Sequence, residues 1–224
     1  MTEQTSMREM PDVERIYTGV GAVVGWAVLG LQLYLIIAIG LENGSPSWWS
    51  TVKFFSYFTV LSNIIVAVGF TAMVFARQSP LGDYFMRPET KAAVAVYIAL
   101  VGLTYNVILR YIWNPQGLSR VADEGLHVVM PLIYIIYWLV FAPKQQLEWR
   151  SFFPWMVLPA AYLIYALALG AASGFYTYPF IDAGKIGYPQ VAINALGVMA
   201  VFIVISLIFI GLDQAMDKRL NRST

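Results

Sequence analysis

Polar side chains recur at helical spacing within otherwise apolar stretches of the chain, and their types indicate where chemistry is possible. Within each group the members are three or four residues apart, so a helix places them on one face. His127 is the only histidine, and an imidazole exchanges protons near neutral pH. The pattern indicates a polar face suited to acid–base chemistry and hydrogen bonding. The groups are Ser56, Thr59 and Asn63; Asn106 and Arg110; Asp123 and His127; and Gln190 and Asn194.

Six apolar stretches carry or flank these groups, and each is close to the length that crosses a membrane. Hydrophobic residues make up 59% of the 224 residues and charged residues 12%, whereas soluble domains average about 25% charged residues. A bilayer core requires ~20 apolar residues per helix. The sequence therefore predicts an all-α integral membrane protein, in which residues 1–224 form one bundle of six transmembrane helices and Pro131 kinks the fourth. The predicted spans are 17–40, 52–76, 91–113, 125–141, 153–173 and 189–212.

The distribution of basic residues between the spans predicts the orientation of the bundle. Ten basic residues lie before the first span, after the sixth, or in the second and fourth connections, and four lie on the other side. Basic residues accumulate on the cytoplasmic side of membrane proteins, so both termini are predicted to be cytoplasmic. This orientation places all four polar groups toward the outer side. Because polar faces in lipid turn toward protein or a wet cavity, we expect one pocket there, open to the outer leaflet or the outer aqueous face.

The composition excludes several other kinds of site. The chain has no cysteine, which excludes a disulfide framework, a thiolate metal site and a cysteine nucleophile. A single histidine excludes a histidine-rich metal site, and the sequence has no glycine-rich phosphate loop. The net charge of +1 gives no strongly basic face for nucleic acid. The sequence therefore predicts neither a metal nor a cofactor.

Most of the polar residues also have a purely structural interpretation. A threonine in a transmembrane helix often bonds the carbonyl four residues before it, and Arg110 near a helix end can extend to the lipid headgroups. Asp123 and Glu124 carry charges that suit the N-terminus of the fourth helix. His127 is harder to explain in this way, because ionisable groups in membrane helices are rare and usually functional.

Three segments resemble motifs of a family of six-transmembrane bacterial proteins. The first, at 54–68, reads FFSYFTVLSNIIVAV and resembles the family's F-T-x-x-S-N stretch. The second, at 124–138, reads EGLHVVMPLIYIIYW and resembles its L-H-x-x-x-P helix, with Tyr137 in place of an acidic residue. The third, at 175–194, reads FYTYPFIDAGKIGYPQVAIN and resembles its Y-P-F-x-D…G-Y outer loop. The androgen-induced and androgen-dependent TFPI-regulating proteins of animals are distant relatives of that family.

The resemblance implies an enzyme that hydrolyses fatty acid esters of hydroxy fatty acids within the membrane. The wider family uses a threonine nucleophile and a histidine, and the matching residues here are Thr59 and His127. Both lie about two turns or less below the outer ends of the predicted helices, so we expect them to meet. The bacterial motifs indicate a multi-pass protein of the plasma (inner) membrane, with a lipid or fatty acid ester as substrate and membrane lipids around it.

The other polar residues are candidates for supporting roles. A threonine hydroxyl becomes a good nucleophile when a base such as His127 takes its proton, and either Asp123 or Asp182 can orient the imidazole. Arg110 can hold the carboxylate of a fatty acid bidentately. A site near the outer interface would also receive water without a channel. Candidates for stabilising an oxyanion are Asn63, Asn106 and Asn194.

Two other functions are compatible with the same polar pocket. A non-catalytic lipid-binding or sensing protein would hold a lipid there, with the histidine reporting pH. A facilitative transporter would use the pocket for a neutral or lipid-like solute. Ion-coupled carriers usually place carboxylates near the midplane of the membrane, and no Asp or Glu falls inside the six predicted spans.

Overall fold

The computed structural model describes residues 10–216, and this part of the chain consists of helices joined by short loops, without a β-strand. One π-helical turn lies at Gly125–Val129, and two 3₁₀ turns lie at Leu109–Tyr111 and Pro179–Ile181. The α-helices of the described residues are α1 (Asp12–Glu42), α2 (Ser47–Ser56), α3 (Phe58–Phe75), α4 (Pro80–Met86), α5 (Pro88–Val107), α6 (Leu118–Glu124), α7 (Met130–Phe141), α8 (Phe152–Trp155), α9 (Val157–Ser173) and α10 (Ala183–Ala215).

Six helical segments within residues 10–216 are long and apolar enough to cross a membrane, in agreement with the predicted number of spans. Helices form here because lipid offers no partner for backbone N–H and C=O groups. Four of the basic residues that determine the predicted orientation, Arg8, Lys218, Arg219 and Arg222, lie outside the described residues. The cytoplasmic location of both termini therefore stays a prediction. The six segments are Asp12–Glu42, Phe58–Phe75, Pro88–Tyr111, Leu118–Phe141, Phe152–Ser173 and Ala183–Ala215.

The second predicted span is not one continuous helix, because the chain breaks at Tyr57 between α2 and α3. Tyr57 has an extended backbone, with φ −85° and ψ 130°. The carbonyl of Ser56 accepts a hydrogen bond from the Tyr162 hydroxyl at 3.0 Å. The N–H of Thr59 donates to the Tyr178 hydroxyl at 3.3 Å. The two tyrosines thus satisfy backbone groups that the break would otherwise leave unpaired in apolar surroundings.

The fourth span begins at Leu118, well before residue 125, where the sequence analysis placed its start. That boundary was wrong because Arg120, Asp123 and Glu124 suggest a solvated loop. In the structure the last two carboxylates have partners, as described below, so they can belong to a helix. The longer helix places His127 far from its N-terminus.

Near Pro131, where the sequence predicts a kink, the structure has a π turn at Gly125–Val129, directly before α7. Proline has no N–H, so Pro131 cannot donate to the carbonyl of His127, four residues earlier. The wider turn is closed instead by the N–H of Met130, which donates to the carbonyl of Gly125. Single π turns of this kind occur often at functional sites, and this one contains His127.

Helices α1, α3, α5 and α7 form one closely packed group, in which α1 contacts α3 and α7, and α5 contacts the same two helices. Helices α9 and α10 lie more openly beside this group, and α10 contacts α5. Large side chains such as Phe70, Tyr134 and Trp138 are fully buried in this core. Apolar side chains on α9 and α10, including Ile164 and Leu196, are exposed. Exposed apolar faces on helices of this length suit contact with lipid.

Two buried carboxylates lie at the opposite end of the bundle from residues 43–46, outside the predicted spans 17–40 and 189–212 but inside the longer helices of the structure. Glu14 of α1 accepts a hydrogen bond from the Tyr137 hydroxyl at 3.2 Å and lies 4.0 Å from the Lys91 ammonium group. Asp213 of α10 accepts from two backbone N–H groups of the α7–α8 loop, each at 2.9 Å. Both carboxylates therefore tie secondary-structure elements together near helix ends.

Gly25 of α1 lies so close to α3 and α7 that a larger residue would not fit. A Cβ there would lie 2.9 Å from Met130 Cε and 3.2 Å from Ala67 Cβ, whereas a Cβ at Gly30 would have no atom within 4 Å. We expect Gly25→Leu to lower the free energy of unfolding by about 1–3 kcal/mol through overpacking. Gly30→Leu should change it by less than about 0.5 kcal/mol. Equal melting temperatures of the two variants in detergent would show that this contact does not matter.

Candidate functional site

Thr59 and His127 lie side by side at the two places where regular helix is interrupted. Thr59 Oγ1 is 3.3 Å from His127 Nε2. Thr59 is the second residue of α3, directly after the break at Tyr57, and His127 is the middle residue of the π turn. Thr59 is 6% exposed and the His127 side chain 13%. The pair is therefore shielded from bulk solvent, and its hydroxyl and imidazole are within reach of proton transfer.

The other ring nitrogen of His127 determines which tautomer faces Thr59. His127 Nδ1 lies 2.9 Å from the backbone carbonyl oxygen of Asp123. A carbonyl oxygen can only accept a hydrogen bond, so Nδ1 carries the proton of the neutral imidazole. Nε2 is then unprotonated and accepts from the Thr59 hydroxyl. This is the arrangement that a general base requires.

The carboxylate of Asp123 also lies against the imidazole and is held there by Tyr105. Asp123 Oδ1 is 3.2 Å from His127 Nδ1, and the Tyr105 hydroxyl donates a hydrogen bond to Asp123 Oδ2. The Tyr105 ring stacks on the imidazole, with 4.1 Å between centroids and 14° between planes. Tyr105 thus fixes both the carboxylate and the ring. The sequence analysis did not single out Tyr105, although it lies one residue before Asn106 in the same outward part of the helix.

Tyr178, in the loop between α9 and α10, contacts Thr59 from another direction. Its hydroxyl is 3.3 Å from Thr59 Oγ1 and also accepts from the Thr59 N–H at 3.3 Å. Because Thr59 gives its own hydroxyl proton to His127, Tyr178 is the donor in the contact with Oγ1. Burial raises the pKa of Tyr178, so the phenol keeps its proton. The sequence analysis quoted Tyr178 within the Y-P-F-x-D motif but assigned no role to it.

Arg110 is paired with Glu124 and is not free to hold a carboxylate. The guanidinium donates to the two Glu124 carboxylate oxygens at 2.8 and 2.7 Å. Its Nε donates to Asn106 Oδ1 at 3.0 Å, and Asn106 Nδ2 donates to the Gly102 carbonyl at 2.8 Å. A fatty acid carboxylate would therefore have to displace Glu124. Asn106 supports this ion pair and does not contact the Thr59–His127 pair.

Asn63 connects α3 to the π turn from the buried side of the pair. Its amide Nδ2 donates to the carbonyl of Thr59 at 2.8 Å and to that of Leu126 at 3.2 Å. Both N–H groups are occupied, so neither is available to an oxyanion near Thr59 Oγ1. Asn63 instead fixes the relative position of the segments that carry Thr59 and His127.

The two candidates in the third motif lie apart from the pair. Asp182 accepts from the N–H of Lys185 at 3.3 Å and lies 3.2 Å from its ammonium group, so it caps α10. Asn194 donates to the carbonyl of Phe180 at 2.8 Å. Neither residue bonds to Thr59 or to His127. The structure thus brings Asp123, and not Asp182, to the imidazole.

The two residues lie at different positions in their spans. Thr59 is the second residue of the span Phe58–Phe75, within the expected two turns of the end of its helix. His127 follows the start of α6 at Leu118 by about 14 Å of helix, at ~1.5 Å per residue, so it lies farther from the start of its helix than expected. The difference arises because the fourth span begins earlier than predicted.

A mostly apolar cavity begins at Thr59 and extends between α5, α9 and α10. It leaves about 100 Å³ open to the centres of water molecules. Thr59 and Tyr178 belong to its wall, whereas His127 does not. Thr59 therefore borders an apolar cavity and also contacts the imidazole. The apolar wall residues include Leu100, Val101, Leu163, Ala195, Val198 and Phe202.

Comparisons with known proteins do not extend these observations. No family model, no curated protein and no solved structure matches the chain. The resemblance drawn from the three motif segments therefore stays an expectation. The chemistry of the site has to be argued from its geometry.

Proposed function

We propose that the protein is a membrane-embedded hydrolase of lipid esters, with Thr59 as its nucleophile and His127 as the base. The observation that carries the proposal is the contact of 3.3 Å between Thr59 Oγ1 and the unprotonated Nε2 of His127. Asp123 holds the opposite nitrogen, as the acid of a catalytic triad does. A hydroxyl beside an oriented imidazole, away from bulk solvent, has what an ester-cleaving nucleophile needs.

The acylation step uses each of these contacts. Nε2 takes the hydroxyl proton while Thr59 Oγ1 attacks the ester carbonyl carbon, and the carbonyl oxygen becomes an oxyanion. The Asp123 carboxylate, 3.2 Å from Nδ1, stabilises the imidazolium that forms. His127 then gives the proton to the leaving alkoxide. The alcohol departs, and the acyl group stays on Thr59 as an ester.

The deacylation step needs a water molecule at His127. The imidazole takes a proton from this water, whose oxygen attacks the acyl–threonine carbonyl carbon. The bond from that carbon to Thr59 Oγ1 then breaks, the imidazolium returns the proton to Oγ1, and the carboxylic acid leaves. We expect the water to enter beside the Arg110–Glu124 ion pair, whose side chains are 35% and 31% exposed.

The substrates are esters of long acyl chains, of the kind formed by a fatty acid and a hydroxy fatty acid. They reach the site from the surrounding bilayer, in keeping with the apolar cavity beside Thr59 and the exposed apolar faces of α9 and α10. The three motif segments imply the same substrate class. The protein would act as a multi-pass enzyme of the plasma membrane, with both termini cytoplasmic.

A fluorophosphonate probe tests this proposal without knowledge of the substrate. Such probes react with activated hydroxyl nucleophiles, so the purified wild type in detergent should become labelled and Thr59→Ala should not. Thr71→Ala is the matched control, because Thr71 lies on the same helix and bonds to the carbonyl of Ala67 and to Trp26. It should label like the wild type. A folded wild type that does not react, or a Thr59→Ala variant that does, would refute the proposal.

A lipid-binding or sensing protein is the second candidate, and the cavity favours it over transport. The cavity has apolar walls and an open side, which suit an alkyl chain without any reaction. The buried carboxylates Glu14 and Asp213 lie at helix ends with protein partners, which gives no support to an ion-coupled carrier. A binder has no activated hydroxyl, so the labelling experiment separates the two candidates.

A further inference from the structure

Of the Thr59–His127 pair, only Thr59 borders the apolar cavity, and this position limits how an ester can lie. Thr59 Oγ1 contacts His127 Nε2 and the Tyr178 hydroxyl, each at 3.3 Å. Tyr178 forms part of the cavity wall, and His127 does not. The nucleophile therefore lies between an apolar cavity and a polar region that contains the imidazole, Asp123 and the Arg110–Glu124 ion pair.

The chemistry of the leaving group determines which half of the ester lies on which side. The base that protonates the leaving alkoxide must lie within hydrogen-bond reach of that oxygen. The alcohol half must therefore leave on the side of His127, outside the cavity. The acyl half is bonded to the carbon that Thr59 attacks and extends away from the leaving oxygen. The apolar cavity beside Thr59 does not include His127 in its wall, so it suits the half of the ester that points away from the leaving oxygen.

We infer, on the basis of the proposed function, that this cavity is the acyl-chain site, so that a change in its depth affects the acyl half of the ester and not the alcohol half. The cavity leaves about 100 Å³ open to water centres, which is room for several water-sized groups at ~10–15 Å³ each. It can therefore take the part of an acyl chain next to the ester carbonyl, and the rest of a long chain would extend past the open side into lipid. The alcohol half lies in the polar region and is not selected by length.

The small residue Ala195 offers a way to shorten the cavity. Ala195 is half-buried on α10 and forms part of the cavity wall with Val198 and Phe202. Ala195→Phe should lower the hydrolysis of p-nitrophenyl octanoate relative to that of p-nitrophenyl acetate by about tenfold or more, because the acyl group of the acetate is too short to reach the new ring. Ala192→Phe is the matched control, because Ala192 is an exposed residue one turn earlier on α10 and is not part of the wall.

The alcohol half provides the second comparison. Octyl acetate carries its long chain on the alcohol, so Ala195→Phe should not affect its hydrolysis relative to p-nitrophenyl acetate. Melting temperatures of the variants show whether they are folded, and the smaller change Ala195→Leu replaces Ala195→Phe if the latter is not. Loss of octyl acetate hydrolysis alone would reverse the assignment of the two halves. If active Ala195→Phe hydrolyses p-nitrophenyl octanoate and p-nitrophenyl acetate in the same ratio as the wild type, the assignment of the cavity to the acyl chain is wrong but the proposed hydrolase activity stands. If the folded wild type hydrolyses no ester, both are wrong.

Discussion

Replacing His127 with alanine is expected to lower the rate of ester hydrolysis by on the order of 10³- to 10⁶-fold, as the loss of a triad histidine does in other hydrolases. The reason is that Thr59 Oγ1 has two side-chain hydrogen-bond partners in the structure, His127 and Tyr178. Tyr178 is a protonated donor and cannot take the hydroxyl proton. The measurement is the single-turnover rate of acylation by a p-nitrophenyl ester in purified, folded protein.

Chemical rescue distinguishes loss of the base from loss of structure. Imidazole added to His127→Ala can occupy the space left by the side chain, between the Tyr105 ring and Thr59. We expect it to restore part of the hydrolysis, with a rate that rises with imidazole concentration, whereas it should not affect Thr59→Ala. If His127→Ala hydrolyses esters at the wild-type rate, His127 is not the base and the mechanism is wrong.

The number of spans and the helical spacing of the polar residues could be predicted from the sequence because both depend on local patterns. A stretch of about 20 apolar residues has few alternatives in lipid to a helix. The proximity of Asp123 and His127 likewise follows from their spacing of four residues on a helix. The two residues are in contact in the structure even though His127 lies in a π turn. Thr59 and His127 were proposed as partners from the motif segments, and the structure places them 3.3 Å apart.

The interruptions that bring Thr59 and His127 together could not be predicted, because they depend on distant residues. The break at Tyr57 has no Gly or Pro to mark it, and the hydroxyls of Tyr162 and Tyr178 satisfy the backbone groups around it. These tyrosines are more than 100 residues away in sequence. The choice between Asp123 and Asp182 depended in the same way on where the outer loop folds.

Charged residues caused the other errors, because the sequence does not show which charges are paired. The predicted fourth span began directly after Glu124, but this residue lies within the helix and holds the Arg110 guanidinium with two hydrogen bonds. A paired carboxylate costs far less to place in a helix within the membrane than a free one does. The fourth span therefore starts earlier, and the predicted partner of a fatty acid carboxylate is already engaged.

Removing the hydroxyl of Tyr178 is expected to produce the other large effect on the reaction. In the tetrahedral intermediate the oxyanion forms next to Thr59 Oγ1. The Tyr178 hydroxyl, 3.3 Å from that atom, donates to it before the reaction and can turn to the oxyanion once Oγ1 is bonded to the ester carbon. The N–H of Thr59, now directed at the same hydroxyl, is a second donor. Loss of one oxyanion donor typically lowers kcat by about 10²- to 10³-fold, so we expect a loss of this size for Tyr178→Phe.

The split between kcat and KM separates this role from a structural one. Tyr178→Phe keeps the ring that packs in the wall of the cavity, so KM for p-nitrophenyl octanoate should stay within about threefold of wild type while kcat falls, as for a transition-state contact. Tyr165→Phe is the matched control, because its hydroxyl is 3.2 Å from Ser56 Oγ beside the same helix break and does not contact Thr59. It should keep both constants near wild type. If the two variants behave alike, the Tyr178 hydroxyl serves only as a hydrogen-bond partner for the backbone N–H of Thr59 at the helix break. The oxyanion must then be held by backbone N–H groups at the start of α3.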